Sequence, residues 1–113
     1  MITIYHNNRC RKSREGLEIL ENSGKPFEVK KYLEEVPTKK ELQLVISKLG
    51  IKPIELVRKN EAIWKEKFKD RTLPDTQIID ALIEYPKLIE RPIVVNGDKA
   101  IIGRPPESIL NIL

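Results

Sequence analysis

The chain has 113 residues, of which 21 are Lys or Arg and 17 are Asp or Glu, so its formal net charge is +4. This length predicts one domain with a single core, and 40% hydrophobic and 34% charged residues argue against disorder. No apolar run approaches the ~20 residues of a membrane-spanning helix. Basic and acidic residues are interleaved and only 5% of residues are aromatic, which argues against a nucleic-acid-binding surface.

The N-terminal third of the chain predicts a β-α-β unit. "ITIY" at residues 2–5 alternates as a short strand does, and "PFEVKKYL" alternates as a second strand. Between them, "SREGLEILENSG" has a helical apolar period, with Ser13 interpreted as the N-cap and Gly24 as the C-cap. Strands joined through a helix run parallel, so Cys10 is expected in the turn from the first strand to the first helix.

The middle of the chain, about residues 38–86, predicts a series of helices. Thr38 and Glu41 have the spacing of a capping box at the start of "TKKELQLVISKLG". "KPIELVRKN" predicts a short helix with Pro53 in its first turn, and "EAIWKEKF" predicts another turn or two. "PDTQIIDALIEYP" predicts a helix between two prolines. These helices form an insertion between the second and third strands.

The C-terminal segment predicts a hairpin followed by a helix. "PIVVNGDKAII" contains two β-branched runs joined across Asn96-Gly97, and "PPESILNIL" predicts a helix that begins at a proline. The order of elements is that of an α/β thioredoxin/glutaredoxin-like fold, a mixed four-stranded sheet with a helical insertion. We therefore expect a single domain over residues 1–113.

Cys10 is the only cysteine, so the chain cannot form an internal disulfide, and "MITIYHNN" lacks the features of a signal peptide. Both observations predict a cytoplasmic location. A cysteine at a helix N-terminus faces free N–H groups and the positive end of the helix dipole, which stabilise a thiolate. The basic side chains of Arg9, Arg11 and Lys12 are expected to act in the same direction. The alternative is an inert, packed cysteine.

Four segments carry a resemblance to a known family: "ITIYHNNRC..SREGLEIL", "LVRKN", "ERPIVV" and "GRPPE". Together they resemble the glutaredoxin-type arsenate reductases (ArsC-like, related to Spx-type proteins) over essentially the whole chain. The resemblance implies that Cys10 is the nucleophile and that three arginines form an oxyanion site: Arg58, Arg91 and Arg104. Planar guanidinium groups suit this role because they bind a tetrahedral oxyanion bidentately and stay charged. The resemblance also implies a cis peptide bond before Pro92.

Three further residues beside Cys10 are candidates for the site. The resemblance implies that His6 helps to lower the cysteine pKa, and a hydrogen-bonded structural histidine is the alternative. Asn7 either supplies an amide to the substrate site or caps the loop. The hydroxyl of Ser13 is a candidate to reach the sulfur in addition to capping the helix. No metal and no bound cofactor are expected.

The resemblance implies a cytoplasmic oxidoreductase that reduces arsenate with glutathione as co-substrate. A glutaredoxin would then resolve the mixed disulfide, because the chain has no second cysteine. Asn8, Arg11 and Lys12 depart from the family pattern and place cations around the sulfur, which leaves a glutathione-linked thiol reductase of another substrate as an alternative. An Spx-like regulatory binding protein is a second alternative. Ser13 stands where those proteins usually carry a second cysteine, which favours the enzyme.

Overall fold

A computed structural model describes all 113 residues. The chain forms two compact units, residues 1–35 with 91–113 and residues 36–90. The first unit contains the whole β-sheet, and the second contains helices. That the two units act as one domain with a helical insertion stays a prediction. None of the helices is long and apolar enough to cross a bilayer.

The first unit is built on a four-stranded mixed sheet with the strand order β2-β1-β3-β4. β1 pairs with β2 in parallel and with β3 in antiparallel orientation, and β3 pairs with β4 in antiparallel orientation. The prediction of a mixed four-stranded α/β fold is therefore confirmed. The strands are β1 (Ile2–Tyr5), β2 (Phe27–Lys30), β3 (Ile93–Asn96) and β4 (Lys99–Ile102).

The strand directions bring four chain segments to one edge of the sheet. The register places Tyr5 opposite Lys30 and Ile93, and Ile93 opposite Ile102. The segments that follow β1, β2 and β4 therefore leave the sheet at the same edge, where the segment before β3 also enters. We call this edge the Cys10 edge, because Cys10 follows β1 there.

The first helix, α1, spans Arg11–Ser23, with Cys10 as its N-cap and Gly24 as its C-cap. The interpretation of Ser13 as the N-cap was wrong, because the helix begins two residues before it. Ser13 lies in the first turn and is fully buried. The start of the helix at Arg11 could not be recognised from the apolar pattern, because Arg11 and Lys12 are polar residues of its exposed face.

The core of this unit lies between the sheet and its helices. It consists of five buried aliphatic residues, two from β1 and one each from α1, β3 and the C-terminal helix: Ile2, Ile4, Leu20, Val94 and Ile109. The C-terminal helix is a 3-10 helix over Pro106–Ile112, with Pro106 at its start. The prediction of a helix that begins at a proline is thus confirmed.

The loop of the β3–β4 hairpin lies one residue later than predicted. Asn96 pairs with Lys99, so the two loop residues are Gly97 and Asp98 rather than Asn96 and Gly97. Gly97 has a φ of 63°, the left-handed region that the first loop residue of a type II′ turn requires. The glycine therefore determines the turn, and Asn96 remains in the strand.

Two X-Pro peptide bonds at the Cys10 edge are cis. The Arg91–Pro92 bond is cis, as the resemblance implies, and the Arg104–Pro105 bond is cis as well. Pro105 is the N-cap of the C-terminal helix, and Pro106 is its first residue. A Cβ atom added at Gly103 would lie 2.9 Å from Pro92 Cγ, so the glycine allows the end of β4 to approach Pro92 closely.

The second unit contains α2 (Lys39–Leu49), α3 (Ala62–Lys67), α4 (Asp75–Glu84) and two 3-10 helices, Pro53–Leu56 and Pro86–Leu88. Thr38 caps α2 as predicted, since its Oγ1 accepts a hydrogen bond of 3.1 Å from Glu41 N. Trp64 is 6% exposed and stacks on Phe68 with 5.2 Å between ring centroids, so it packs within this unit.

Candidate active site around Cys10

Cys10 lies at the N-terminus of α1, at the Cys10 edge of the sheet. Its backbone is extended, with φ −96° and ψ 122°, and its N–H donates to Asn7 O at 3.0 Å. Its own carbonyl accepts the first intrahelical bond, from Arg14 N, at 3.0 Å. This is the geometry of an N-cap, so the free N–H groups of the first turn lie beside the thiol. The side chain is 8% exposed.

The surroundings of the thiol favour its ionised form. Burial is the largest influence and raises the pKa of Cys10, whereas the backbone N–H of Ser13, the Arg91 guanidinium and the backbone N–H of Lys12 lower it. The net result is a Cys10 pKa below the ordinary value. Since the thiolate is the nucleophilic form, the site is arranged for attack by sulfur.

Two guanidinium groups lie at the sulfur. Arg104 Nη2 is 3.6 Å from Cys10 Sγ, and the Arg91 guanidinium is close enough to the thiol to lower its pKa. The two arginines are also joined to each other, because Arg104 Nε donates to Arg91 O at 2.8 Å. The structure therefore brings together Cys10, Arg91 and Arg104, three of the residues that the resemblance implies.

His6, Asn7 and Ser13 form a hydrogen-bonded group behind the thiol. His6 is 4% exposed, and its Nδ1 lies 2.6 Å from Ser13 Oγ, which also accepts a hydrogen bond of 3.0 Å from Asn7 N. The Asn7 side chain caps the loop, since its Oδ1 accepts from Arg9 N at 3.0 Å. These bonds fix the loop that leads from β1 to Cys10.

Burial and the charges of Lys31 and Arg14 lower the pKa of His6, and a hydrogen bond with Ser13 partly opposes them. A lowered pKa keeps the imidazole neutral near neutral pH. His6 then brings no positive charge to Cys10. Its contacts with Ser13 instead place it as a neutral hydrogen-bonding partner of the first turn of α1.

The side chains of Arg11 and Lys12 pair with Glu15 along the helix, which corrects the expectation that they surround the sulfur. Arg11 Nε lies 3.1 Å from Glu15 Oε1, and Lys12 Nζ lies 4.0 Å from Glu15 Oε2, in exposed ion pairs along the helix. The charge that lowers the Cys10 pKa is that of Arg91. Lys12 acts on the thiol through its backbone N–H.

Arg58 belongs to the second unit, where it is held by two carboxylates. Its Nη1 lies 3.1 Å from Glu61 Oε2, and its Nε lies 3.9 Å from Glu90 Oε1. Its backbone N–H donates to Leu88 O at 2.8 Å. A place for Arg58 in an oxyanion site stays a prediction. No group of three or more His, Cys, Asp or Glu side chains could hold a metal ion.

Gly103 was not predicted as part of the site, because it has no reactive group, but it lets the end of β4 approach Pro92. The available signal was a small residue directly before the "RPP" segment. A second residue that was not predicted is Lys31, whose charge lowers the pKa of His6. Lys31 follows β2 in a run of two lysines that resembles any exposed strand end, so no sequence signal distinguishes it.

We expect alkylation of Cys10 to reach its plateau at a lower pH than alkylation of an ordinary thiol, because the folded protein favours the thiolate. Arg91→Leu should move the curve to higher pH. Lys12→Ala should leave it in place, since the substitution keeps the N–H that faces the sulfur. The measurement is a pH series of iodoacetamide rates. An equal shift in both variants would contradict the assignment of the effect to the Lys12 backbone.

The structure combines a thioredoxin-like sheet, one cysteine at the N-terminus of α1 and two arginines near its sulfur. These features define a class of thiol-dependent proteins. Residues 5–112 match the ArsC family. The chain is 44% identical to an arsenate reductase of Haemophilus influenzae over 99% of this chain and 98% of the relative. It is 42% identical to an arsenate reductase of Acidiphilium multivorum, over 99% of this chain and 80% of that protein.

The solved structure of an arsenate reductase from Vibrio cholerae has the same fold, with a TM-score of 0.94 and 46% identity over 99% of this chain and 97% of that one. The chain belongs to the ArsC family. The prediction from the four segments is therefore confirmed, and so is the prediction of an oxidoreductase.

Proposed function

We propose that the chain is an arsenate reductase that uses Cys10 as nucleophile and glutathione as co-substrate. The observation that carries the proposal is the 3.6 Å contact of Arg104 Nη2 with Cys10 Sγ, together with the Arg91 charge that lowers the Cys10 pKa. A thiolate repels an approaching anion unless cations neutralise the charge, and here the cations stand at the sulfur itself. The relatives named arsenate reductase support the choice of the anion.

In the first step the Cys10 thiolate attacks the arsenic of arsenate. A sulfur–arsenic bond forms, one arsenic–oxygen bond breaks, and the oxygen leaves as water after taking up protons. Arg91 and Arg104 would hold the remaining oxygens by charge-assisted hydrogen bonds, and Arg58 is proposed as the third such group. The low Cys10 pKa supplies the thiolate without a separate base.

In the second step the thiolate of glutathione attacks Cys10 Sγ. A disulfide bond forms between the two sulfurs, the sulfur–arsenic bond breaks, and its electron pair stays on arsenic. Arsenic is thereby reduced by two electrons from As(V) to As(III), and the two thiols are oxidised together. Arsenite leaves, and Cys10 remains as a mixed disulfide with glutathione.

A glutaredoxin would return Cys10 to the thiolate, because this chain has no second cysteine to do so. The glutaredoxin thiolate attacks the glutathione sulfur of the mixed disulfide, and Cys10 leaves. A low leaving-group pKa speeds this exchange, so the acidity of Cys10 serves both the first step and the last. Since the cycle depends on reduced glutathione, we propose a cytoplasmic location.

A coupled assay tests the proposal. Purified protein, glutathione, a glutaredoxin and glutathione reductase should consume NADPH only when arsenate is present, and arsenite should accumulate in equal amount. Hydroxyethyl disulfide, assayed without the glutaredoxin and with and without the chain, serves as the comparison. Turnover of this disulfide without arsenate turnover would replace this proposal by a glutathione-linked thiol reductase of another substrate. No turnover of either kind would favour an Spx-like binding protein.

A further inference from the structure

A pocket of about 300 Å³ opens beside the loop that precedes Cys10. It is lined by residues 6–9 of that loop and by Lys31, Leu33 and Glu34, which follow β2. Its volume lies at the lower end of the ~300–1,000 Å³ that small-molecule sites occupy. Neither Arg91 nor Arg104 lines it, so it is distinct from the arginines at the sulfur.

The strand order places this pocket and the two arginines on opposite sides of β1. β2, which leads into Lys31, pairs with one side of β1, and β3, which Arg91 precedes, pairs with the other. Arg104 follows β4, beyond β3. At the Cys10 edge the chain therefore presents the pocket on one side of the Cys10 loop and the arginines on the other.

The charges of the pocket match those of glutathione. Arg9 and Lys31 provide two positive charges, and Glu34 provides one negative charge. Glutathione carries two carboxylates, one at each end, and one ammonium group beside the carboxylate of its γ-glutamyl end. Arg9, Lys31 and Glu34 take part in none of the ion pairs of the structure, so their charges are available to a ligand.

An in-line displacement in the second step favours an approach from this side. When glutathione displaces arsenic from Cys10 Sγ, the incoming thiolate and the departing arsenic stand opposite each other across the sulfur. Arsenic bound at Arg91 and Arg104 leaves toward β3 and β4. The side of β2, where the pocket lies, is opposite to this departure and therefore suits the attacking thiolate.

We propose that the pocket formed by residues 6–9 and by Lys31, Leu33 and Glu34 is the glutathione site of this enzyme. The inference rests on the proposed function and adds to it a location for the co-substrate. Arg9 and Lys31 bind the two carboxylates, and Glu34 binds the ammonium group. Leu33, which is 42% exposed, packs against the apolar part of the tripeptide.

The test titrates the protein with S-methylglutathione, which has the same charges but no free thiol, and follows binding by calorimetry at low ionic strength. Arg9→Leu and Lys31→Leu should each weaken binding about two- to fivefold, because each removes one exposed charge contact. The double variant should lose about tenfold. Two basic residues outside the pocket serve as controls, and Arg11→Leu and Lys25→Leu should bind as the wild type does.

Glu34 gives a more specific test of orientation. Wild type should bind S-methylglutathione more tightly than its N-acetyl derivative, which lacks the ammonium charge. Glu34→Gln should abolish this preference, and Glu35→Gln, the neighbouring carboxylate outside the pocket, should keep it. A preference that survives in Glu34→Gln overturns the assigned orientation.

Measurement of arsenate turnover distinguishes an error in the proposed glutathione site from an error in the proposed function. If the site is right, the double variant Arg9→Leu with Lys31→Leu raises the KM for glutathione about tenfold and keeps kcat with arsenate. Three results would overturn the site: an unchanged KM in the double variant, an unchanged affinity of that variant for S-methylglutathione, or no binding of S-methylglutathione by the wild type. In each case the proposed function stands if the wild type still reduces arsenate through Cys10. Loss of arsenate turnover in the wild type instead overturns the proposed function, whatever the binding data show.

Discussion

Cys10→Ser is expected to abolish arsenate turnover and to prevent any adduct with oxidised glutathione. A serine hydroxyl stays protonated at neutral pH and forms neither the sulfur–arsenic bond nor the disulfide on which the cycle depends. Intact mass measures the adduct without ambiguity, since the wild type has one cysteine and can take up one glutathione. The coupled NADPH assay measures the turnover.

A thiol placed elsewhere provides the control for this variant. Ser47 is exposed on α2, so the double variant Cys10→Ser with Ser47→Cys carries one thiol away from the arginines. It should accept glutathione but should not reduce arsenate, and circular dichroism should match the wild type. Arsenate reduction by either variant would move the reactive centre away from Cys10.

The second large effect concerns the arginines. We expect kcat/KM for arsenate to fall by ~30- to 1,000-fold in each of the variants Arg91→Leu and Arg104→Leu. The same loss is expected for Arg58→Leu if Arg58 joins the oxyanion site. This corresponds to the loss of one charge-assisted contact to a developing anion, about 2–4 kcal/mol. The Arg→Lys variants should recover part of the activity, because an ammonium group keeps the charge but cannot reproduce the planar fork.

Two exposed basic residues are the controls for the arginine series. Arg11 pairs with Glu15 in solvent, and Lys65 is exposed on α3, so Arg11→Leu and Lys65→Leu should each cost less than about 1 kcal/mol. All variants should be compared by circular dichroism and by urea unfolding. If the three arginine variants behave like Lys65→Leu, the oxyanion site is wrong, and a thiol-switch binding domain becomes the better interpretation.

Most of the fold could be predicted because local patterns and tertiary structure agree. Thr38 caps α2, the β-branched runs form strands, and the prolines stand at helix starts, as their local chemistry favours. The hairpin loop was misplaced by one residue because Asn96-Gly97 and Gly97-Asp98 are both good turn pairs. Only the pairing of Asn96 with Lys99 distinguishes them.

The start of α1 could not be predicted, because tertiary contacts decide it. Ser13 is a strong N-cap residue by itself, but its hydroxyl bonds to His6 and Asn7 within the core, and Cys10 takes the cap position instead. The direction of the Arg11 side chain follows from this start, since a helix from residue 11 places Glu15 one turn away. The sequence predicted Cys10, Arg91 and Arg104 as members of one site, but it did not predict that Arg11 and Lys12 pair with Glu15 instead of facing the sulfur.

The hydrogen bonds from the first turn of α1 to the sulfur have a consequence for mutational tolerance. Every amino acid except proline carries a backbone N–H, so exchanges at Lys12 leave one of these donors in place. A random library at positions 11 and 12 should therefore keep thiol reactivity almost throughout, with proline at position 12 as the exception. In evolutionary terms, these two sites can acquire surface charge suited to a new partner while the backbone donor at position 12 stays in place.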